Sequence, residues 1–330
     1  MKIDGYSLLA TVDCAEKPSA IEKALRTEGY TFGLGTLDNE TFLKNYLHGD
    51  ALLDAHISGA DLVGLCASMK IRLLNGNTQR TVETPRSAAG PDLRFLLLGG
   101  AGRAGDIEEL ALKIRPLPDK MLAATYIAHN LETAVETLRI RVQNFNPPAW
   151  VRLTLLDDDI QSDQARLSFG FEGSAKLCEG QFDDFCAACA TGFTKTQAPA
   201  GCPDGSHNMA GAPPLFSDMS KTHKPEIQIG IMLSWECCAA FMREMKKRSA
   251  GIYIQQCVLS KAYHHAALLS LRIYSSGTRD WIENEAHEIS ELTKKDGGRV
   301  LELIDLTGER TNLKNIVPSD PLIERIRRVI

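Results

Sequence analysis

No stretch of this 330-residue chain approaches the roughly 18 consecutive apolar residues that a membrane-spanning helix needs. A basic excess is missing too. With 37 Lys and Arg against 42 Asp and Glu the net charge is −5, so the basic face of a dedicated nucleic-acid binder is not expected. The N-terminus, MKIDGYSLLATVDC, has neither the basic flank nor the continuous apolar core of a signal peptide. The location expected from this is the cytoplasm. No internal repeat and no long low-complexity tract is visible. The nine cysteines are odd in number and scattered, which in that compartment reads as reduced thiols. Cys178, Cys186, Cys189 and Cys202 invite a metal reading, but only Cys186 and Cys189 have C-x-x-C spacing and no second pair matches them. Three of the four lie in SAKLCEGQFDDFCAACA, an amphipathic helical pattern in which thiols can simply pack. What is present is ordinary globular material, 44% hydrophobic and 24% charged, long enough for two domains.

Residues 84–118, TPRSAAGPDLRFLLLGGAGRAGDIEELALKIRPLP, carry the most information, because two cofactor readings compete for them. Gly100-Ala-Gly102-Arg-Ala-Gly105 is literally G-x-G-x-x-G, the pattern of a Rossmann phosphate loop. That reading requires a strand over 93–98 and a helix over 106–114. The flanking residues point the other way. Gly90-Pro91-Asp92 is a good helix start, so 92–98 reads as a short helix. Leu110, Leu112 and Ile114 then alternate with Ala111, Lys113 and Arg115, a strand period, and Pro116 and Pro118 end it. The order is helix, glycine loop, strand.

That order resembles the vanillyl-alcohol-oxidase type of FAD-binding family, in the branch of alkyl-dihydroxyacetonephosphate synthase and the glycolate and D-lactate dehydrogenases. Its members carry P-R-S-A-A-G-P-D-L, a short helix, a G-S-E-G-T-L-G-I-I-T loop and a strand ending R-P-L-P. Here the frame is Pro85 to Leu93, Gly99-Gly-Ala-Gly-Arg-Ala-Gly105-Asp-Ile-Glu108, and Arg115 to Pro118. The resemblance extends over nearly the whole chain. It implies an α+β fold: a partial FAD-binding domain over 1–118, and over 119–330 a cap domain built on an antiparallel sheet with helices.

Several local expectations accompany it. Residues 1–15 read as a strand, and PSAIEKALRTEGY as a helix opened by Ser19 and closed at Gly29. Asn75-Gly76 signals a hairpin. Residues 147–159 read as a strand, 165–177 as a strand entering a helix, 193–225 as a long loop and 251–276 as two adjacent strands. WIENEAHEISELTKKDGGRV is a helix stopped at Gly297-Gly298, and SDPLIERIRRVI a helix capped by Ser319 or Asp320.

For FAD, the resemblance implies contacts from Gly99, Gly100, Ala101, Gly102, Arg103, Gly105 and Ile107. The family's Ser, Glu and Thr are here Gly100, Ala101 and Arg103, so the loop reads either as a structural turn kept by descent or as a working phosphate contact. The resemblance begins partway into the family's first domain, and nothing before Gly29 reads as its R-G-G-G-T-like pyrophosphate loop. Losing three hydrogen bonds to charged groups, at roughly 1.5–3 kcal/mol each, weakens binding by more than about a thousandfold. FAD binding is therefore expected to be weakened or lost. On the substrate side the family's S-H-x-Y is Ser260-Lys-Ala-Tyr263, and Arg152 stands on the family's arginine. His265 is expected on the same strand face as Tyr263, with His264 on the other. Glu302, Leu303 and Ile304 stand where the family has histidines. Tyr263, Arg152 and His265 are the candidate catalytic residues. Two functions follow: a catalytically degenerate, non-catalytic or regulatory subunit in a homo- or hetero-oligomer, for instance with an active flavoprotein paralogue, or a working FAD-dependent oxidoreductase or transferase on a small hydroxy acid or phosphorylated ketone, with the FAD loop expected from a partner chain.

Overall fold

The structure, a computed structural model, describes residues 1–33, 42–48, 62–81, 94, 98, 105–144, 146–156, 162–196, 225–248, 253–275 and 279–305. They fall into two compact units, within Met1–Leu117 and Pro118–Val317.

The first unit contains β1 (Lys2–Asp4), β2 (Leu9–Asp13), α1 (Pro18–Thr27), β3 (Tyr30–Thr31), α2 (Leu43–His48), α3 (Leu62–Leu65), β4 (Cys66–Leu73), β5 (Thr78–Arg80), β6 (Gly105–Lys113) and β7 (Arg115–Pro116). Five strands form an antiparallel sheet in the order β1-β2-β6-β4-β5, and β3 pairs with β7. The single strand expected over 1–15 is instead a hairpin. Asp4 Oδ1 accepts the Tyr6 and Ser7 N–H groups at 3.0 and 3.1 Å, an Asx turn that reverses the chain. Helix α1 opens on Pro18 with Lys17 as cap, not on Ser19. Proline suits the first helical position because its ring presets φ and its missing N–H has no partner there. The helix closes as expected, with Gly29 at φ 82° just beyond Glu28.

Strand β6 decides between the two readings of the glycine segment. Ile107, Leu110 and Leu112 enter the core with Ile21 and Leu25 of α1 and Met69 and Ile71 of β4. A strand where the Rossmann reading demands a helix removes that reading. Upstream, Arg94 is helical and its carbonyl accepts the Leu98 N–H at 2.9 Å, a helical turn.

The second unit contains β8 (Lys120–Ala128), α4 (Leu131–Gln143), β9 (Trp150–Leu155), β10 (Ala165–Gly173), α5 (Ala175–Ala188), β11 (Phe193–Thr196), β12 (Pro225–Ser234), α6 (Trp235–Arg248), β13 (Tyr253–Ala262), β14 (Ala266–Ser275), α7 (Arg279–Lys295) and β15 (Arg299–Asp305). Its eight strands run β11-β8-β10-β9-β13-β14-β12-β15, each pair antiparallel. The two ends of the expected loop over 193–225 are strand, β11 and the start of β12, and the residues between them lie outside the described ones. The ends of α4 and α7 follow from local chemistry. Asn130 caps α4 by accepting the Thr133 N–H at 2.8 Å, and Gly297 ends α7 at φ 70°.

The strand order contains a repeat that the sequence does not display. Residues 120–196 run β-α-β-β-α-β, and so do 225–305. Within the sheet, each half places its fourth strand beside its first, then its third, then its second. This is the split βαβ arrangement, present twice and joined edge to edge through the two second strands. There β9 and β13 pair at Thr154–Val258 and Leu153–Leu259.

Candidate functional site

Strand alternation gives the eight-stranded sheet two faces. One carries Tyr126, Val151, Leu153, Leu167, Phe169, Ile229, Leu269 and Leu271, packed against Leu138, Phe185, Phe241 and Ile289 of the four helices. The other is polar yet buried. From the first half it takes Thr125, Arg152 and Ser168, and from the second Gln228 and Ser270. Thr125 and Ser168 hydroxyls lie 2.9 Å apart, and Ser168 is also the register partner of Arg152. The Arg152 side chain is 6% exposed and its Nη1 donates to the Val151 carbonyl at 2.9 Å. In the second half Arg272 Nε donates to Gln228 Oε1 at 2.8 Å, across β14 and β12. Buried polar groups are costly unless paired, so a face of this kind is built for polar contact. Trp150 lies on the same face as Arg152, two residues earlier, flat over Gly170. A Cβ at 170 would meet its indole nitrogen at 2.3 Å, so only glycine fits.

Tyr263 and His265 do not share a strand face. They belong to the three-residue loop between β13 and β14, closed by the Tyr263 N–H on the Ala266 carbonyl at 2.8 Å. Tyr263 is half-buried and both histidines are exposed. Helices on either side hold the loop: Trp235 Nε1 donates to the Tyr263 carbonyl and Gln143 Nε2 to the His264 carbonyl, each at 3.0 Å. Arg152, in contrast, sits within β9 on the buried polar face. Glu302, Leu303 and Ile304 lie in β15 opposite Gly230, Ile229 and Gln228.

Gly99 to Arg103 lie outside the described residues, as do Cys202 and the expected helix at 319–330. Gly105 and Ile107 are described, and both have structural roles. Gly105 opens β6 at φ 148°, where a Cβ would strike the Arg72 carbonyl at 2.3 Å. Ile107 is buried in the core of the first unit. The close approach at Gly105 is to the chain's own backbone, and Ile107 has no polar group to offer. Beside them, Asp106 and Glu108 pair with Arg72 and Lys70. These residues do not fit a pyrophosphate cradle.

The cysteines in the described residues behave as packing groups. Burial pushes the Cys189 and Cys238 thiols up to about 12 and also raises Cys178 and Cys186, which keeps them protonated and unreactive. Among the described residues no group of three or more His, Cys, Asp or Glu is arranged to hold a metal ion. No helix among them is long and apolar enough to cross a membrane. The sequence reasoning missed Thr125, Ser168, Gln228, Ser270 and Arg272. Their signal is small or polar residues at period two inside otherwise apolar strands, as in LSFGF, IQIGI and LLSLRI.

An uncharacterized FAD-linked oxidoreductase, YgcU, of Escherichia coli (strain K12) is 28% identical over 151 residues, 44% of this chain and 31% of that protein. Alkyldihydroxyacetonephosphate synthase of Caenorhabditis elegans is 31% identical over 85 residues, 26% of this chain and 14% of that protein. The chain is a remote homologue of these FAD-linked oxidoreductases and synthases. Two crystal forms of an alkyldihydroxyacetonephosphate synthase superpose with TM-scores of 0.70 and 0.65 at 16% identity. They cover 90% and 89% of this chain, which spans 60% and 62% of theirs. The likeness shows a mixed α+β fold of the vanillyl-alcohol-oxidase type. No family model matches the chain. Thus the chain spans about a third of the bacterial relative and under two thirds of the solved synthases.

Proposed function

We propose that this protein is a catalytically degenerate relative of the FAD-linked oxidoreductases that acts as a non-catalytic or regulatory subunit. One observation carries the reading: the five buried polar side chains of that face, Thr125, Arg152, Ser168, Gln228 and Ser270, are poor proton carriers near neutral pH. They are hydroxyls, an amide and a guanidinium, and a guanidinium keeps its proton at any physiological pH. Tyr263 and His265, the remaining acid–base candidates, sit in a surface loop. Leu303 and Ile304 cannot transfer protons. In this role the chain forms homo- or hetero-oligomers, with an active flavoprotein paralogue as the partner that supplies proton-transfer groups.

A second reading is favoured by one feature, the buried cation of Arg152 beside the Ser168 hydroxyl. It makes the protein a working FAD-dependent oxidoreductase or transferase on a small hydroxy acid or phosphorylated ketone, with further FAD contacts supplied by a partner chain.

Titration of the purified chain with FAD, following flavin fluorescence and melting temperature together, tests the first reading. It predicts no quenching and no shift. A ligand at about 100 times its Kd stabilises by roughly 2.7 kcal/mol, so tight binding gives an unmistakable shift and supports the enzyme.

A further inference from the structure

We propose that Asn75 is a spontaneous deamidation site that the folded β4–β5 hairpin holds closed. Asparagine is among the thermolabile residues, and an asparagine followed by glycine is the least hindered case. The backbone nitrogen of Gly76 attacks Cγ of Asn75. A nitrogen–carbon bond forms, the bond to the side-chain nitrogen breaks, and that nitrogen leaves as ammonia. Water then opens the cyclic imide at either carbonyl and leaves aspartate or isoaspartate, so the balance needs no oxidant or other reagent. Access is not limiting. The turn is exposed, Leu74 at 70%, and nothing lies within 4 Å of a Cβ placed on Gly76.

The hairpin itself withholds both reacting groups. The Gly76 N–H, whose proton must leave for the nitrogen to attack, donates to the Leu73 carbonyl at 2.9 Å. The Asn75 Oδ1 accepts the Asn77 N–H at 2.9 Å, which fixes the side chain in one rotamer and keeps Cγ from turning to meet the Gly76 nitrogen. Leu73 N–H donates to the Asn77 carbonyl at 2.9 Å and closes the loop, with Gly76 at φ 84°. This is a three-residue loop with glycine in the left-handed position. Imide formation requires the Gly76 N–H and the Asn75 side chain to be released from their partners.

The two products differ in consequence. Aspartate keeps an oxygen for the Asn77 N–H and preserves the turn. Isoaspartate inserts a backbone atom between residues 75 and 76 and breaks the Leu73–Asn77 closure. Strand β5 is the edge of its sheet, with three register pairs to β4 at Lys70, Ile71 and Arg72 and the Thr81–Met69 bonds beyond them, so its turn end would be loosened. The ion pair of Arg80 with Glu109 of β6 ties that edge down. Asn75 would thus record, irreversibly, how often the hairpin has opened.

The test incubates the full chain at pH 8 in buffer and in urea, with the Arg72–Arg80 peptide as reference, and follows the one-dalton gain at Asn75 by peptide mapping. Conversion in urea should match the peptide. In buffer it should be at least about tenfold slower, the factor that a local opening free energy of about 1.4 kcal/mol imposes. Arg80→Ala, which loosens the edge, should speed conversion in buffer several-fold and leave the rate in urea unchanged. Asn75→Ser should abolish the gain. Equal rates in buffer and urea would overturn the proposal, as would an Asn75 that converts in neither.

Discussion

The two halves of the eight-stranded sheet share one strand order and differ in what they carry. Each spans its first and third strands with a polar pair on the same buried face: Thr125 with Ser168 in the first half, Gln228 with Arg272 in the second. Their second strands part company. In the first half that strand presents Trp150 and Arg152, whereas its counterpart presents Val258 to the same face. Aromatic packing is uneven too. Phe169, Phe171, Phe182 and Phe185 form a ring cluster with Tyr126 and Phe193 in the first half. A duplicated scaffold therefore keeps its backbone pattern and its helix-facing apolar layer, while the polar face diverges. Function has to be sought where the halves differ, in the strand bearing Arg152.

The largest effect should come from the apolar layer. Phe169 is fully buried and its ring centroid lies 4.1 Å from that of Phe185, so Phe169→Ala should cost about 3–5 kcal/mol in urea unfolding. A loss under about 1 kcal/mol would mean the first half does not depend on that cluster. On the polar face the effect should be smaller and pair-dependent. Ser168→Ala strands the buried Thr125 hydroxyl and should cost about 1–3 kcal/mol, while adding Thr125→Val should recover most of it. No recovery would show that the two hydroxyls do not act as a pair.

The smallest effect concerns the clamp between halves. Arg243 of α6 holds Asp163, before β10, at 2.6 and 2.7 Å and also meets Glu132 of α4. Lys246 donates to the Leu156 and Ser162 carbonyls. The Arg243 hydrogen bonds hold the Asp163 carboxyl below its ordinary value of 3.8. A depressed carboxylate stabilises the fold above its unfolded pKa, and that contribution fades as pH falls through the folded one. Partly exposed pairs contribute about 0.2–1 kcal/mol. Asp163→Asn should therefore lose about that much at pH 7 and show a flatter stability profile below pH 4 than the parent. Identical acid profiles would remove the clamp from the account.

Much of the fold is legible because it rests on local pattern. Strand β6 shows in the alternation from Leu110 to Ile114, the β13–β14 pair in its two apolar runs, and α7 in its stop at Gly297. The repeat is not legible, because a shared strand order can outlast side-chain similarity. Strand β11 is four residues of edge pairing in front of a Gly- and Pro-rich stretch. Helix α6 starts at Trp235 directly after the last residue of β12, Ser234, with no loop between the two elements to separate their patterns. The candidate site was half legible. Arg152 was found through the motif around it, but its polar neighbours come from distant strands. Tyr263 and His265 were misplaced because a three-residue loop between two strands continues their alternation on paper.

The central claim is that this chain does not carry out flavin chemistry on its own. The most direct measurement is anaerobic addition of small hydroxy acids to the chain held in excess FAD, following the flavin absorption band. The account predicts that the band stays unchanged over hours. Bleaching that depends on both the protein and the hydroxy acid would contradict it and establish an active oxidoreductase.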